Sequence, residues 1–177
     1  MKTNILKLTA IMLLLIVSAN SCEREDESTL PPETQEGKNT FGCYVNDTLF
    51  VKVKRFSNPT LEAKYSHVIF IEHFEKKKLH VRCKSIHGFM DLIIDNPREG
   101  DNILSIGSFI FNNHEFASEN SGQVYITKFD TINRIVSGTF EFTGRNAIFH
   151  PDTIQYVGDL TAQVKKGRFD VKLNIFD

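Results

Sequence analysis

Apolar and polar residues alternate at a period of two along most of this chain, most clearly in GQVYITKFDTINRIVSGTFEFTG, residues 122–144. Val124 and Ile126 alternate with Tyr125, Thr127 and Phe129. Val136, Phe140 and Phe142 alternate with Ser137, Thr139, Glu141 and Thr143. β-Branched and aromatic residues at this period, on either side of the polar run Asp130, Thr131, Ile132 and Asn133, predict a β-hairpin. Gly138 interrupts the apolar face, which predicts a bulge or a close backbone approach.

The same texture runs through the rest of residues 39–177. TFGCYVNDTLFVKV (40–53) predicts two strands around Asn46-Asp47, with Phe41, Cys43 and Val45 on one face. SNPTLEAK predicts a loop, and YSHVIFIEHF with KLHVRCKSI a hairpin turning at the lysines 76–78. GFMDLII is a strand ended by the turn-rich DNPREGDN. NILSIGSFIFNN carries one or two strands and NNHEFASENSG a long polar loop. RNAIFHPDT reads as irregular. LTAQV and RFDVKLNI predict a last hairpin over Lys165-Lys166-Gly167, with Leu160, Ala162 and Val164 facing Phe169, Val171, Leu173 and Ile175. No window shows helical periodicity after the N-terminus. Short strands with one apolar face each predict an all-β domain, either an antiparallel β-sandwich or an up-and-down β-barrel built mainly of hairpins.

Composition agrees, with fifteen Phe and no Trp among 177 residues. Strands, not helices, favour such aromatics. The formal net charge of −1 argues against nucleic acid, which needs a basic surplus on one face. Charge is concentrated instead in residues 22–38, where six acidic side chains stand against Arg24 and Lys38.

That segment follows a secretory pattern. Lys2 and Lys7 precede the apolar run AIMLLLIV, and Ser18, Ala19 and Ser21 lead to Cys22. The run is about half the roughly 20 residues that a spanning helix needs. Ala19-Asn20-Ser21-Cys22 resembles the lipobox of bacterial lipoproteins, in which the cysteine is acylated and becomes the first residue. Ala19 stands where Leu is usual, and the residues also satisfy the small-x-small rule of ordinary secretion. The predicted division is a lipoprotein signal peptide (1–21), an acidic disordered tether (22–38) and a single β domain (39–177). Glu23, Glu25, Asp26 and Glu27, interrupted by Arg24, resemble the export signal that sends Bacteroidota lipoproteins to the outside of the outer membrane.

A wider likeness covers most of residues 30–175. LPPETQEGKNTFGCYVND, ITKFDTINRIVSGTFEFT and KKGRFDVKL resemble segments of an uncharacterised family of small Bacteroidota lipoproteins carrying a domain of unknown function. The resemblance implies an envelope location and a compact β domain. It implies no activity and no catalytic residues.

Candidate chemistry is sparse. If the second hairpin turns at the lysines, His73 lies opposite His80 with Glu75 beside them, but Lys78 and Arg82 would repel a cation, so no metal is expected. Asp95, Glu99, Asp101 and Asn102 around Gly100 lack calcium-loop spacing and read as turn chemistry. Strand parity puts Glu72 on an apolar face with Val68, Phe70 and Phe74, where a bulge is expected to expose it. Cys43 and Cys83 both fall on core faces, so a disulfide and two buried free thiols are both open. Nucleophile elbows and phosphate-cradling glycine loops are absent, and no cofactor is expected. The expectation is an outer-membrane lipoprotein, exposed at the cell surface, acting as a non-enzymatic binding or envelope-assembly module with a protein or glycan partner. The alternative is a lipocalin-like carrier, its Phe-rich strands lining a cavity for a small apolar ligand. A hydrolase has only scattered carboxylates behind it.

Overall fold

The period-two pattern folds as strands throughout. The computed structural model describes residues 29–52, 61–69, 75–150 and 153–176. They form ten strands and, among the described residues, no helix. These are β1 (Thr40–Val45), β2 (Thr48–Val51), β3 (Leu61–Ile69), β4 (Glu75–Ser85), β5 (Gly88–Asp95), β6 (Gly100–Ile103), β7 (Ile106–Phe111), β8 (His114–Asp130), β9 (Ile135–Phe149) and β10 (Ile154–Phe176).

Hydrogen bonding closes seven of them into a ring, β10-β3-β4-β5-β7-β8-β9 and back to β10. Every pairing is antiparallel except β10 with β3, where Leu173–Phe176 run parallel to Ala63–Ser66. β1 branches from β10 and carries β2, while β6 branches from β8. The all-β sandwich or barrel class is thus the observed one. The parallel pair and the two branches depart from a simple up-and-down order.

Turn chemistry explains several of the connections. Asn46-Asp47 and Asn112-Asn113 have positive φ at both residues (46° and 66°, 51° and 63°). Such turns match the twist of the strands they join, and Asn and Asp tolerate that backbone best after glycine. In the central hairpin, Asp130 accepts hydrogen bonds from the Ile132 and Asn133 amides (3.1 and 2.8 Å) and from Asn133 Nδ2 (2.7 Å). Gly138 is a close backbone approach, since a Cβ there would lie 2.5 Å from the Tyr125 carbonyl oxygen.

Several expectations need correction, for related reasons. Lys165-Lys166-Gly167 is not a turn but a bulge inside β10, which runs unbroken for 23 residues. A bulge and a turn share the same local signal, here Lys166 at φ 52° followed by glycine. Gly167 is needed because a Cβ would sit 2.5 Å from the Phe140 ring. The polar stretch 114–121 is strand, part of β8, and 145–149 belong to β9. Ladder pairing of 114–118 with β7 and β9, and of 145–149 with β8 or β10, satisfies the backbone there, so polar side chains do not break the strand. LEAK opens β3 instead of closing a loop. β3 pairs Ile69 with Glu75, so the lysines 76–78 lie within β4 and the turn falls earlier, outside the described residues. A bulge between Ile126 and Lys128 reverses parity, so Phe129, expected on the polar face, packs edge-on against Tyr65 at 5.2 Å. Part of the expected tether, residues 30–38, lies against the sheet as a strap, with Pro31 and Leu30 over Gly42.

The core is a run of aromatic contacts inside the ring. Phe140 is 2 % exposed, and its ring centroid lies 5.2 Å from Phe41 and 6.3 Å from Phe169. Phe109 stacks on Phe116 at 4.9 Å and meets Phe142 edge-on at 5.7 Å. Phe140→Ala is expected to cost about 3–5 kcal/mol in urea unfolding, the range for deleting a buried aromatic ring. A loss below about 1 kcal/mol would show that the ring is not a core element.

Candidate functional site

On the outer face of β6, β8, β9 and β10 the register lines up polar side chains across four strands. Asp101 pairs with Tyr125, Tyr125 with Thr139, and Thr139 with Arg168. In the next row Gln123 pairs with Glu141, whose Oε1 accepts from the Lys166 amide at 3.1 Å. The β10 bulge turns Lys166 and Arg168 towards these rows. Together with Glu33 of the strap they line an open trough of about 320 Å³. It continues past Gln123 and Glu141 into a space of about 480 Å³, and past Glu33, Thr139 and Arg168 into one of about 190 Å³ under the strap. Among the described residues lining the first trough there is no histidine, serine or cysteine. Hydroxyl, amide, carboxylate and guanidinium groups make it a surface for hydrogen bonding.

The strap is held by one buried carboxylate. Asp170 is 1 % exposed and accepts five hydrogen bonds. Thr34 Oγ1 (2.6 Å) and Ser137 Oγ (2.7 Å) donate, as do the amides of Glu36 (3.1 Å), Gly37 (2.8 Å) and Lys38 (3.1 Å). Arg168 Nη1 and Lys128 Nζ donate to the Pro31 and Gln35 carbonyls, both at 3.1 Å. Burial alone would raise the Asp170 carboxyl, but the Thr34 and Ser137 hydroxyls and the Lys38 and Gly37 amides outweigh it and hold it below the ordinary carboxylate range. Sequence reasoning missed this residue, because a polar residue at an outward strand position needs no partner until something covers it.

A second buried carboxylate, Asp91, lies on the outer face of β4 and β5. His80 Nε2 is 2.6 Å from Asp91 Oδ1, Arg82 Nε donates to the same oxygen at 2.7 Å, and Arg82 Nη2 donates to Oδ2 at 3.2 Å. Here too burial opposes ionisation, and the His80 and Arg82 hydrogen bonds prevail to lower the carboxyl. His80 therefore stands opposite Lys64 and Ile93, not opposite His73 as expected. His73, Glu72, Cys22, Glu23, Glu25, Asp26 and Glu27 lie outside the described residues, as does the Glu75 side chain. Among the described residues no three or more His, Cys, Asp or Glu come together as a metal site. Asp95 ends β5 and Gly100–Asn102 belong to β6, so the turn is 96–99: Asn102 Oδ1 accepts from the Arg98 amide (3.1 Å), and Glu99 Oε1 accepts from the Phe129 amide of β8 (2.9 Å). Asp101, read there only as a turn residue, is brought to the trough instead.

Cys43 and Cys83 are free, fully buried thiols, so the disulfide held open from sequence is not formed. Cys43 Sγ lies 4.0 Å from Met90 Sδ. Burial pushes both thiols well above the ordinary thiol range. Comparison of the chain with family models, curated proteins and solved structures finds no match.

Two outcomes follow from these groups. A carboxyl lowered on folding stabilises the native state above its unfolded value, about 3.9, and that contribution is lost as pH falls through the folded value. Asp170→Asn, whose amide cannot serve all five donors, is expected to cost about 1–3 kcal/mol at pH 7. The gap to the wild type should narrow below about pH 4 in urea titrations. An equal gap at pH 7 and pH 3 would show that the ionised form is not what the strap binds. For the cysteines, peptide mass spectrometry should find iodoacetamide on Cys43 and Cys83 only after unfolding, because burial keeps the reactive thiolate from forming. Rapid labelling of the native protein would contradict their burial.

Proposed function

We propose that this chain is a lipid-anchored protein of the outer membrane, displayed at the cell surface, whose β domain binds a partner without transforming it. The location rests on the order of the first 27 residues. A basic start, a short apolar run and small residues lead to Cys22, and Glu23, Glu25, Asp26 and Glu27 follow at once. Two or three acyl chains on Cys22 would hold it stably, at about 0.8 kcal/mol per buried methylene. The acidic run would then sit just outside the headgroups, where a sorting receptor can read it.

The molecular role rests on the contrast between interior and exterior. Inside the ring, Phe41, Phe140 and Phe169 fill space against one another, as do Phe109, Phe116 and Phe142. Outside, the trough offers polar groups already aligned by strand register. This favours a surface that binds over the alternative of a carrier with an apolar internal cavity.

Cys22→Ala is expected to release the protein from membranes, and its retention there would exclude the lipid anchor. Replacing Glu23, Glu25, Asp26 and Glu27 with Ala should leave the anchor but shield the domain from protease added to intact cells. A wild-type domain already shielded would instead place it facing the periplasm.

A further inference from the structure

Building on the binding role proposed above, we infer that the trough recognises a neutral oligosaccharide, laid across β8 and β9 with one sugar ring on Tyr125. Tyr125 is 50 % exposed at the centre of the Asp101–Tyr125–Thr139–Arg168 row, so part of its aromatic ring is open to a ligand. The negative face of such a ring attracts the polarised C–H bonds on the flat face of a pyranose. Around that face a sugar carries hydroxyls, each both donor and acceptor. The two rows supply both kinds: carboxylate acceptors at Asp101 and Glu141, donors at Arg168, and groups that do either at Gln123 and Thr139.

Two further observations narrow the ligand. The side-chain polar groups of Asp101, Gln123, Tyr125 and Thr139 have no hydrogen-bond partner among the described residues. Arg168 Nε is buried and likewise without one. The groups of Asp101, Gln123, Tyr125 and Thr139 need not give up protein partners to bind a ligand. Charge then excludes the strongly ionic classes. Three carboxylates (Glu33, Asp101, Glu141) face two cations (Lys166, Arg168), a net of −1 over the lining residues, so neither a polyanion nor a polycation meets a complementary field. The adjoining spaces on both sides make the trough open-ended, which suits several linked sugars better than one.

Isothermal titration of the full chain in a non-glycosidic detergent tests this, with hexasaccharides of β-1,4-glucan, α-1,4-glucan, β-1,4-mannan and β-1,4-xylan as probes. At least one should bind, and the recovered sugar should be intact by chromatography. Tyr125→Ala should weaken binding about tenfold, while Tyr125→Phe, which keeps the ring, should stay within about threefold. Both variants should unfold in urea at the wild-type midpoint, because the side chain lies outside the core. Failure of all four probes, or full affinity in Tyr125→Ala, overturns the saccharide assignment. Surface display, read by protease access, would be untouched by either result, so the two proposals fail separately. Cleavage of a bound probe would overturn the non-enzymatic role and leave the location standing.

Discussion

The pairing of β10 along both its edges is the constraint on which the rest of the structure depends. Its residues 154–156 and 161–172 pair with β9 along one edge, interrupted by the bulge at 165–166, and from Val164 on its other edge is shared in sequence, first with β1 and then with β3. Unpaired buried amides and carbonyls are costly, so the buried part of a strand of this length must find partners on both sides. Sharing the edge does that. It also brings the chain's first and last strands together and closes the ring through the parallel pair with β3. β8 is shared in the same way between β7 and β6, opposite β9.

Bulges convert these long ladders into two usable faces. The bulge before Gly167 lets the Phe140 ring press against bare backbone, and it turns Lys166 and Arg168 to the outside. One irregularity therefore serves both core packing and the polar trough. The bulge after Ile126 acts in the same sense, sending Phe129 towards Tyr65 and the core while Tyr125 stays outside. Had either strand kept strict period two, the trough and the core would compete for the same side chains.

Asp170 joins the domain to the segment that leads back to Cys22. Its five donors come from the strap and from β9, so residues 34–38 are part of the fold. The strap forms one wall of the trough through Glu33, and Arg168 connects the two through the Pro31 carbonyl. A ligand in the trough would thus sit beside the strap.

The sequence by itself determined the strand class, the core face of β1 and that of the central hairpin apart from Ser137 and Phe129, and the turns at Asn46-Asp47 and Asp130, because these depend on side-chain parity and on backbone angles that few residues tolerate. Phe41, Cys43, Val45 and Phe140 could be assigned to the core from period two alone, and all are buried. Only the tertiary structure decided where strands continue through polar stretches, since a ladder partner distant in sequence satisfies the backbone whatever the side chain. It decided too that Lys165-Lys166-Gly167 is a bulge, that the strap folds back onto Asp170, and that Asp101, Tyr125, Thr139 and Arg168 share one row. That row draws on four strands spread over nearly 70 residues of sequence. Register between distant strands is a property of the assembled sheet, and no local pattern of residues carries it.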